Sequence, residues 1–152
     1  MQLRKTVVAA LAVALLAAAP VVAEKAKKQK KNKNPDVVTV QHVLISFEGR
    51  LPNKAVERTK KQAENLAWEI FDRAEAGEDF DALVKDYTND RHPGIYTMVN
   101  RGVPQKKGTS ARDDMALSFG DISFKLDVGE VGMARFHPEL CPFGWHIIKW
   151  LE

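Results

Sequence analysis

The stretch VVTVQHVLISF, residues 37–47, is rich in β-branched residues, which favour β-strands. Turn-forming pairs bound it on both sides, Pro35-Asp36 before it and Glu48-Gly49 after it. Apolar residues occupy both odd and even positions, so both faces of this strand are predicted to be covered. A strand covered on both faces lies inside a sheet, and we therefore expect the fold to be built around it.

The segments that follow alternate between helical and strand patterns. Asn53 is the predicted N-cap of a long helix that ends before Gly77, and Asp79 is the predicted N-cap of a shorter helix over residues 80–88. The remaining predictions are a strand over residues 95–99, a loop over 102–113, a third helix opened by Asp113 or Asp114 with Met115, Phe119 and Ile122 on one side, and strands over 131–136 and 145–151. The order β, α, α, β, α, β, β predicts an α+β fold in which helices pack on one sheet.

The N-terminal segment has a different composition from the rest of the chain. Arg4 and Lys5 precede an apolar run over residues 7–19, and Val21-Val22-Ala23 has the small or branched residues of a cleavage site. This layout predicts a signal peptide over residues 1–23, in preference to a membrane anchor, which needs about 20 apolar residues. The lysine-rich stretch over residues 24–35 is predicted to be a disordered basic tail, and residues 36–152 form the predicted domain.

Charge and cysteine content restrict the function of that domain. The whole chain has a net charge of +3, but residues 1–34 hold eight basic side chains and one acidic one, so residues 35–152 carry about −4. A mildly acidic domain lacks the electrostatic footprint of nucleic-acid binding, and we expect no nucleic-acid partner. Cys141 is the single cysteine, which excludes an internal disulfide, and its spacing to the histidines matches no zinc pattern.

Four motifs in order connect the chain to a known family. They are QHVLISF at residues 41–47, GEDFDALVKDYTND at 77–90, SFKLDVGEV at 123–131 and FGWHIIKWLE at 143–152. Each motif is weak alone, but their order and spacing are specific. On these motifs residues 38–152 resemble the parvulin-type (PpiC-like) peptidyl-prolyl cis-trans isomerases. The resemblance implies a four-stranded, mainly antiparallel sheet with about three to four helices packed around it.

The resemblance assigns catalytic roles to His42, Asp90 and His146. It implies that His42 and His146 lie on neighbouring central strands, share a hydrogen-bond network and shape the site, and that Asp90 orients them. Each residue also has a purely structural interpretation. A histidine in an apolar strand is usually a hydrogen-bonded core residue, and a loop aspartate often caps a turn.

The resemblance also implies a substrate pocket lined by Met115, Phe119, Tyr96 and Phe143. Met115 and Phe119 would grip the proline ring, and they are predicted to share a helix face because they are one turn apart. Plain core packing is the alternative for this pair. Tyr96 replaces the leucine common in the family, and Phe143 either narrows the pocket or stacks on a substrate side chain.

The segment over residues 102–115 is longer than in the family. It is predicted either to form a lid over the pocket or to shift Met115 away from it. Lys106, Lys107 and Arg112 in this segment are candidates to attract an acidic residue before proline.

The function that the resemblance implies is isomerisation of X-Pro bonds in exported proteins, in the periplasm or outside the cell. The alternative is a non-catalytic, peptide-binding chaperone module with the same fold. In either case the expected partners are unfolded or extended proline-containing polypeptides. We expect no cofactor, no metal, no stable membrane insertion after signal cleavage, and a monomer.

Overall fold

The computed structural model describes residues 35–152 of the chain. The predicted signal peptide, residues 1–23, and the predicted basic tail up to residue 34 lie outside the described residues. Pro35 is buried, and its carbonyl accepts a hydrogen bond of 2.9 Å from the Asn100 side chain. Between residues 35 and 152, no helix combines the length and the apolar character needed to cross a membrane.

One five-stranded sheet organises the described part of the chain. Its strands are β1 Val37–Ile45, β2 Ile95–Val99, β3 Ser110–Ala111, β4 Val131–Ala134 and β5 Trp145–Trp150. Their spatial order is β3-β2-β1-β5-β4, so β1 is the central strand, as the sequence predicts. β1 is antiparallel to both β2 and β5, β4 is antiparallel to β5, and β3 is parallel to β2.

The helices are α1 Lys60–Glu75, α2 Phe80–Tyr87 and α3 Leu117–Ser123, with a 3₁₀ turn at Arg112–Asp114. The α+β class and the mainly antiparallel sheet are confirmed, but the predicted number of four strands was one too few. The additional strand, β3, has two residues that pair with Met98 and Val99. A strand of two residues has no side-chain periodicity, so the sequence pattern alone indicated a loop.

Alternation along β1 and β5 divides the core into two clusters, one on each face of the sheet. Val43, Ile45 and Ile147 pack against α1 and α2. Val40 and Ile148 lie on the opposite face, where the second cluster includes Phe119 of α3. His42 and His146 have the same parity as Val40 and Ile148 on their strands, so both histidines lie on the α3 face.

The start of α1 differs from the prediction. The N-cap is Thr59 rather than Asn53, and it forms a capping box in which Gln62 donates its backbone N–H to the Thr59 hydroxyl while its side chain accepts from the Thr59 N–H. Residues 53–58 instead belong to an irregular segment between β1 and α1. The predicted N-cap at Asp79 is confirmed, since its side chain accepts from the Asp81 N–H.

The start of α3 also differs from the prediction. Asp113 and Asp114 belong to the 3₁₀ turn, Met115 follows it in extended backbone, and α3 begins at Leu117. Met115 and Phe119 therefore do not share a helix face, and their proximity has another origin. The 3₁₀ turn is held against α3 by Arg112, whose guanidinium contacts Asp121 at 2.5 Å.

Candidate active site

A pair of histidines forms the centre of the site. In the pairing of β1 with β5, His42 lies opposite Ile148 and Leu44 lies opposite His146, so the two histidines are diagonal neighbours on one face. Their Nδ1 atoms are 3.0 Å apart and their rings are stacked with centroids at 5.1 Å. Both residues are buried. The sheet register therefore produces the hydrogen-bonded histidine pair that the sequence analysis expected.

Asp90 extends this network towards solvent. Its Oδ2 accepts two hydrogen bonds, one from His42 Nε2 at 3.0 Å and one from the Tyr96 hydroxyl at 2.8 Å. The hydrogen bond from His42, followed by the one from Tyr96, lowers the pKa of Asp90 to about 2. Asp90 is therefore ionised at neutral pH, and Tyr96 is a direct partner of the carboxylate as well as a lining residue of the pocket.

The network also assigns the protons on the two histidines. Because Asp90 is a carboxylate, His42 Nε2 carries a hydrogen and donates it. Burial, followed by the neighbouring His42, lowers the pKa of His146 to about 3, so His146 is neutral at physiological pH. With the His42 hydrogen on Nε2, His146 Nδ1–H donates to His42 Nδ1, which leaves His146 Nε2 without a hydrogen. His146 Nε2 is buried and has no hydrogen-bond partner among the described residues. Leaving a buried acceptor unpaired costs less free energy than leaving a buried N–H donor unpaired.

Residues 88–90 are fastened to the end of β1, and this sets the position of Asp90. The Thr88 hydroxyl accepts from the backbone N–H of Leu44 at 3.1 Å and of Asp90 at 3.2 Å. Asn89 donates its N–H to the Leu44 carbonyl at 2.7 Å and accepts at its side chain from the Ser46 N–H at 2.9 Å.

Two cations from the segment between β1 and α1 complete this attachment. Lys54 Nζ lies 2.7 Å from the Asn89 carbonyl oxygen and 2.6 Å from the Asp90 carbonyl oxygen. Arg58 donates to the Asn89 side chain at 2.6 Å and to the Ser46 carbonyl at 3.1 Å. The loop over residues 88–90, which carries Asp90, is therefore held both by β1 and by the segment between β1 and α1.

An apolar cavity of about 300 Å³ adjoins the histidine pair. All seven residues that the sequence analysis selected line it, namely His42, Asp90, Tyr96, Met115, Phe119, Phe143 and His146. Phe119 is buried and lies edge-on to both His42 and His146, with centroids 5.2 Å from each. Phe143 is 44% exposed and forms part of the rim. The long segment over residues 102–115 does not remove Met115 from the pocket.

Four further lining residues were missed, namely Leu44, Leu51, Asp114 and Ala116. Leu51 lies in the irregular segment between β1 and α1, and it is the one residue of that segment among those that line the cavity. Asp114 was interpreted as a helix cap. Leu44 lies in β1, where the sequence predicted a strand, whereas Leu51, Asp114 and Ala116 lie outside the α-helices and β-strands of the structure.

Several other candidates are not part of the cavity. Arg112 does not line it, because its guanidinium is directed to Asp121 and, at 2.9 Å, to the Asn100 side chain. Lys106 and Lys107 do not line it either.

Cys141 is fully buried, and burial raises the pKa of its thiol to about 12, so it is an unreactive thiol. No group of three or more potential metal ligands occurs within residues 35–152.

Comparison with known families identifies the domain. The family model described as the PPIC-type PPIASE domain matches residues 24–152. The chain belongs to this family. The PPIC-type domain is also similar to parts of two curated proteins, over 118 residues at 30% identity to the chaperone SurA of Pseudomonas fluorescens and over 98 residues at 34% identity to the foldase protein PrsA 4 of Bacillus cereus. These alignments cover 78% and 64% of this chain but only 24% and 31% of the relatives, so the chain spans about a quarter to a third of their length.

Solved structures share the fold of the PPIC-type domain. Peptidyl-prolyl isomerase ESS1 from Candida albicans superposes with a TM-score of 0.54, covering 77% of this chain and 63% of that one. TbPIN1 superposes with a TM-score of 0.56, covering 77% of this chain and 98% of that one. Sequence identity is 19% in both cases, so these likenesses establish the fold alone. The expected parvulin-like architecture is confirmed.

Proposed function

We propose that this PPIC-type domain isomerises X-Pro peptide bonds in unfolded or extended segments of exported polypeptides. The observation that carries the proposal is the hydrogen-bonded chain from His146 through His42 to Asp90, alongside an apolar cavity lined by Met115 and Phe119. A proline ring is compact and apolar and suits such a cavity.

The chemistry requires selective binding rather than bond cleavage. Amide resonance opposes rotation about the peptide bond with a barrier of about 18–20 kcal/mol. A catalyst lowers this barrier by binding the twisted amide more tightly than either planar form. The planar amide carries delocalised charge that water stabilises, whereas the twisted amide has lost that delocalisation. An apolar cavity that removes water from the amide therefore favours the twisted form.

Asp90 contributes a fixed negative charge beside the cavity. In a planar amide, resonance places partial negative charge on the carbonyl oxygen, and twisting reduces it. A carboxylate near that oxygen therefore disfavours the planar forms relative to the transition state. In this proposal the two histidines act as positioning residues, because His42 holds the Asp90 carboxylate and His146 fixes the tautomer of His42.

The test is NMR exchange spectroscopy on Ala-Xaa-Pro-Phe peptides with the full chain. We expect the protein to accelerate cis/trans exchange, and Met115→Ala and Asp90→Asn to reduce it by about tenfold or more. Met133→Ala is the matched control, because Met133 is a partly buried methionine on the opposite face of the sheet. Equal loss in all three variants would indicate general destabilisation and would contradict the assigned site.

A binding module without turnover is the second candidate, and the similarity to a protein named as a chaperone favours it. The same spectra distinguish the two functions. Chemical-shift changes on peptide addition without accelerated exchange would support binding alone, whereas accelerated exchange supports the isomerase.

We further propose that residues 1–23 direct export and are removed. The composition of this segment, with two basic residues, an apolar run and the Val21-Val22-Ala23 site, supports this. Mass spectrometry of the secreted or periplasmic protein is expected to give a mature chain that begins at Glu24. A mature chain that retains the apolar run would contradict the proposal.

A further inference from the structure

The cations around the cavity are already occupied by partners within the domain. Lys54 donates to the carbonyls of Asn89 and Asp90, and Arg58 donates to Asn89 and Ser46. These contacts hold both side chains against the loop over residues 88–90, and neither side chain lines the cavity.

Three further arginines near the cavity make other contacts, and none of them lines it. Arg91 lies over the Tyr96 ring, with its guanidinium carbon 5.6 Å from the ring centroid. Arg112 is paired with Asp121 at 2.5 Å. Arg101 is paired with Asp113 at 2.7 Å.

Asp114 is in the opposite situation. It lines the cavity next to Met115 and is exposed, and within residues 35–152 it makes no hydrogen bond or ion pair. The other carboxylate in the lining, Asp90, accepts hydrogen bonds from His42 and Tyr96 and so has partners within the domain. No lysine or arginine is among the described residues that line the cavity. Asp114 is therefore an uncompensated negative charge at the edge of the pocket.

We propose that the pocket selects prolines flanked by lysine or arginine and disfavours those flanked by an acidic residue, with Asp114 as the specificity-determining residue. This inference rests on the proposed function, because it concerns the substrates of the same site. A basic side chain next to the proline gains an ion pair with Asp114 that replaces no existing partner. An acidic side chain meets the same carboxylate, and no lysine or arginine lines the cavity to pair with it. Exposed ion pairs are modest, so the preference is expected to be about twofold to fivefold for each sign of charge.

The experiment uses the full chain and six peptides. Lysine, alanine or glutamate is placed immediately before the proline in three of them and immediately after it in the other three. Both cis/trans exchange and the affinity from chemical-shift titration are measured at low salt and at about 0.5 M salt, where surface electrostatics are screened. The variants are Asp114→Asn and, as a matched control, Asp113→Asn. Asp113 is adjacent, is exposed, bears the same charge and does not line the cavity.

The expected result is a lysine-over-glutamate preference in wild type and in Asp113→Asn, which salt reduces and Asp114→Asn abolishes. Because all variants contain the lysine-rich N-terminal segment, any effect of that segment cancels in the comparison. A preference that survives in Asp114→Asn, or equal rates and affinities for all peptides, would overturn the inference while leaving the isomerase intact. Peptides that neither exchange faster nor bind would overturn both. If peptides bind without accelerated exchange, the affinities alone test the inference. Tighter binding of the lysine peptides that Asp114→Asn abolishes would support it, and equal affinities would overturn it.

Discussion

At the scale of single residues, Tyr96 has a role beyond the pocket lining that the sequence predicted for it. Its hydroxyl shares Asp90 Oδ2 with His42 Nε2, so two donors hold one carboxylate oxygen. Hydrogen bonds to charged groups are the stronger ones, typically about 1.5–3 kcal/mol. Tyr96 therefore fixes both the orientation and the ionisation of Asp90, in addition to lining the pocket.

Removing this hydroxyl tests its role. We expect Tyr96→Phe to slow exchange by about threefold to tenfold. The acid limb of the pH–rate profile should also move to higher pH, since the loss of a donor raises the pKa of Asp90. The control is Tyr87→Phe, because the Tyr87 hydroxyl bonds to Arg73, away from the cavity. An unchanged acid limb in Tyr96→Phe would exclude a role for the hydroxyl in holding Asp90.

Burial of His146 makes the stability of the folded domain depend on pH. Its pKa is about 3 in the folded state, against an ordinary value of 6.5. Between these values the unfolded chain binds more protons than the folded one, so stability is lost as the pH falls from 6.5 towards 3. The slope from one group is at most about 1.4 kcal/mol per pH unit. Asp90, whose pKa is about 2 rather than 3.8, adds a second loss of stability as the pH falls from 3.8 towards 2.

Urea unfolding at pH 7, 5 and 4 measures this dependence. His146→Asn is expected to flatten it, because an amide retains a donor near the position of Nδ1 but does not titrate in this range. His137→Asn is a suitable control, since His137 is exposed. Equal slopes in wild type and His146→Asn would mean that burial of His146 is not the origin of the acid sensitivity.

At the scale of elements, the segment between β1 and α1 has a positioning role. It brings Leu51 to the cavity and Lys54 to the carbonyls of Asn89 and Asp90. Asp90 lies in a connection rather than in a helix or strand, so its position depends on such contacts. Regular secondary structure positions the histidines, and side-chain contacts to a loop position the carboxylate.

Lys54→Met tests this arrangement. We expect exchange to slow by about threefold to tenfold, with a change in unfolding free energy of at most about 1 kcal/mol, because Lys54 is a surface residue. Lys54→Arg should restore part of the activity, which a loss of packing alone would not explain. Lys61→Met is the control, since Lys61 pairs only with Glu64 on the exposed side of α1. Unchanged amide chemical shifts at Asn89 and Asp90 in Lys54→Met would contradict the proposed role.

At the scale of the whole molecule, the sheet separates two hydrophobic clusters. One packs against α1 and α2, and the other contains Phe119 and adjoins the cavity. Ile147 and Ile148 are adjacent in β5 and both fully buried. Ile147 packs with the α1 and α2 cluster, and Ile148 packs in the cluster that contains Phe119. Ile147 and Ile148 therefore form a matched pair, with one residue in the cluster on each face of the sheet.

Ile→Val at each position removes one buried methylene group and should lower stability by about 0.5–1.5 kcal/mol. Only Ile148→Val is expected to alter exchange, by about twofold, because packing around Phe119 shapes the cavity. The comparison is made well below the unfolding temperature of both variants. Equal effects of the two changes on exchange would show that the cavity depends on the whole core rather than on the face that contains it.

The sequence by itself determined the elements whose signals are local. The β-branched run predicted β1 as the central strand, and the side chain of Asp79 predicted the start of α2. The family resemblance carried by the four motifs implied that His42 and His146 would meet. Hydrophobic period and cap chemistry are properties of a few consecutive residues, so these features can be read from the chain.

Only the tertiary structure decided the features that depend on distant partners. Asn53 and Thr59 are both competent N-caps, and α1 begins at Thr59 because the preceding segment is bound to residues 88–90 through Lys54 and Arg58. Met115 reaches the cavity in extended backbone rather than on a helix, and Asp114 lines the cavity instead of capping. Short irregular segments carry no period of their own, so their positions follow from the long-range hydrogen bonds and packing that the fold supplies.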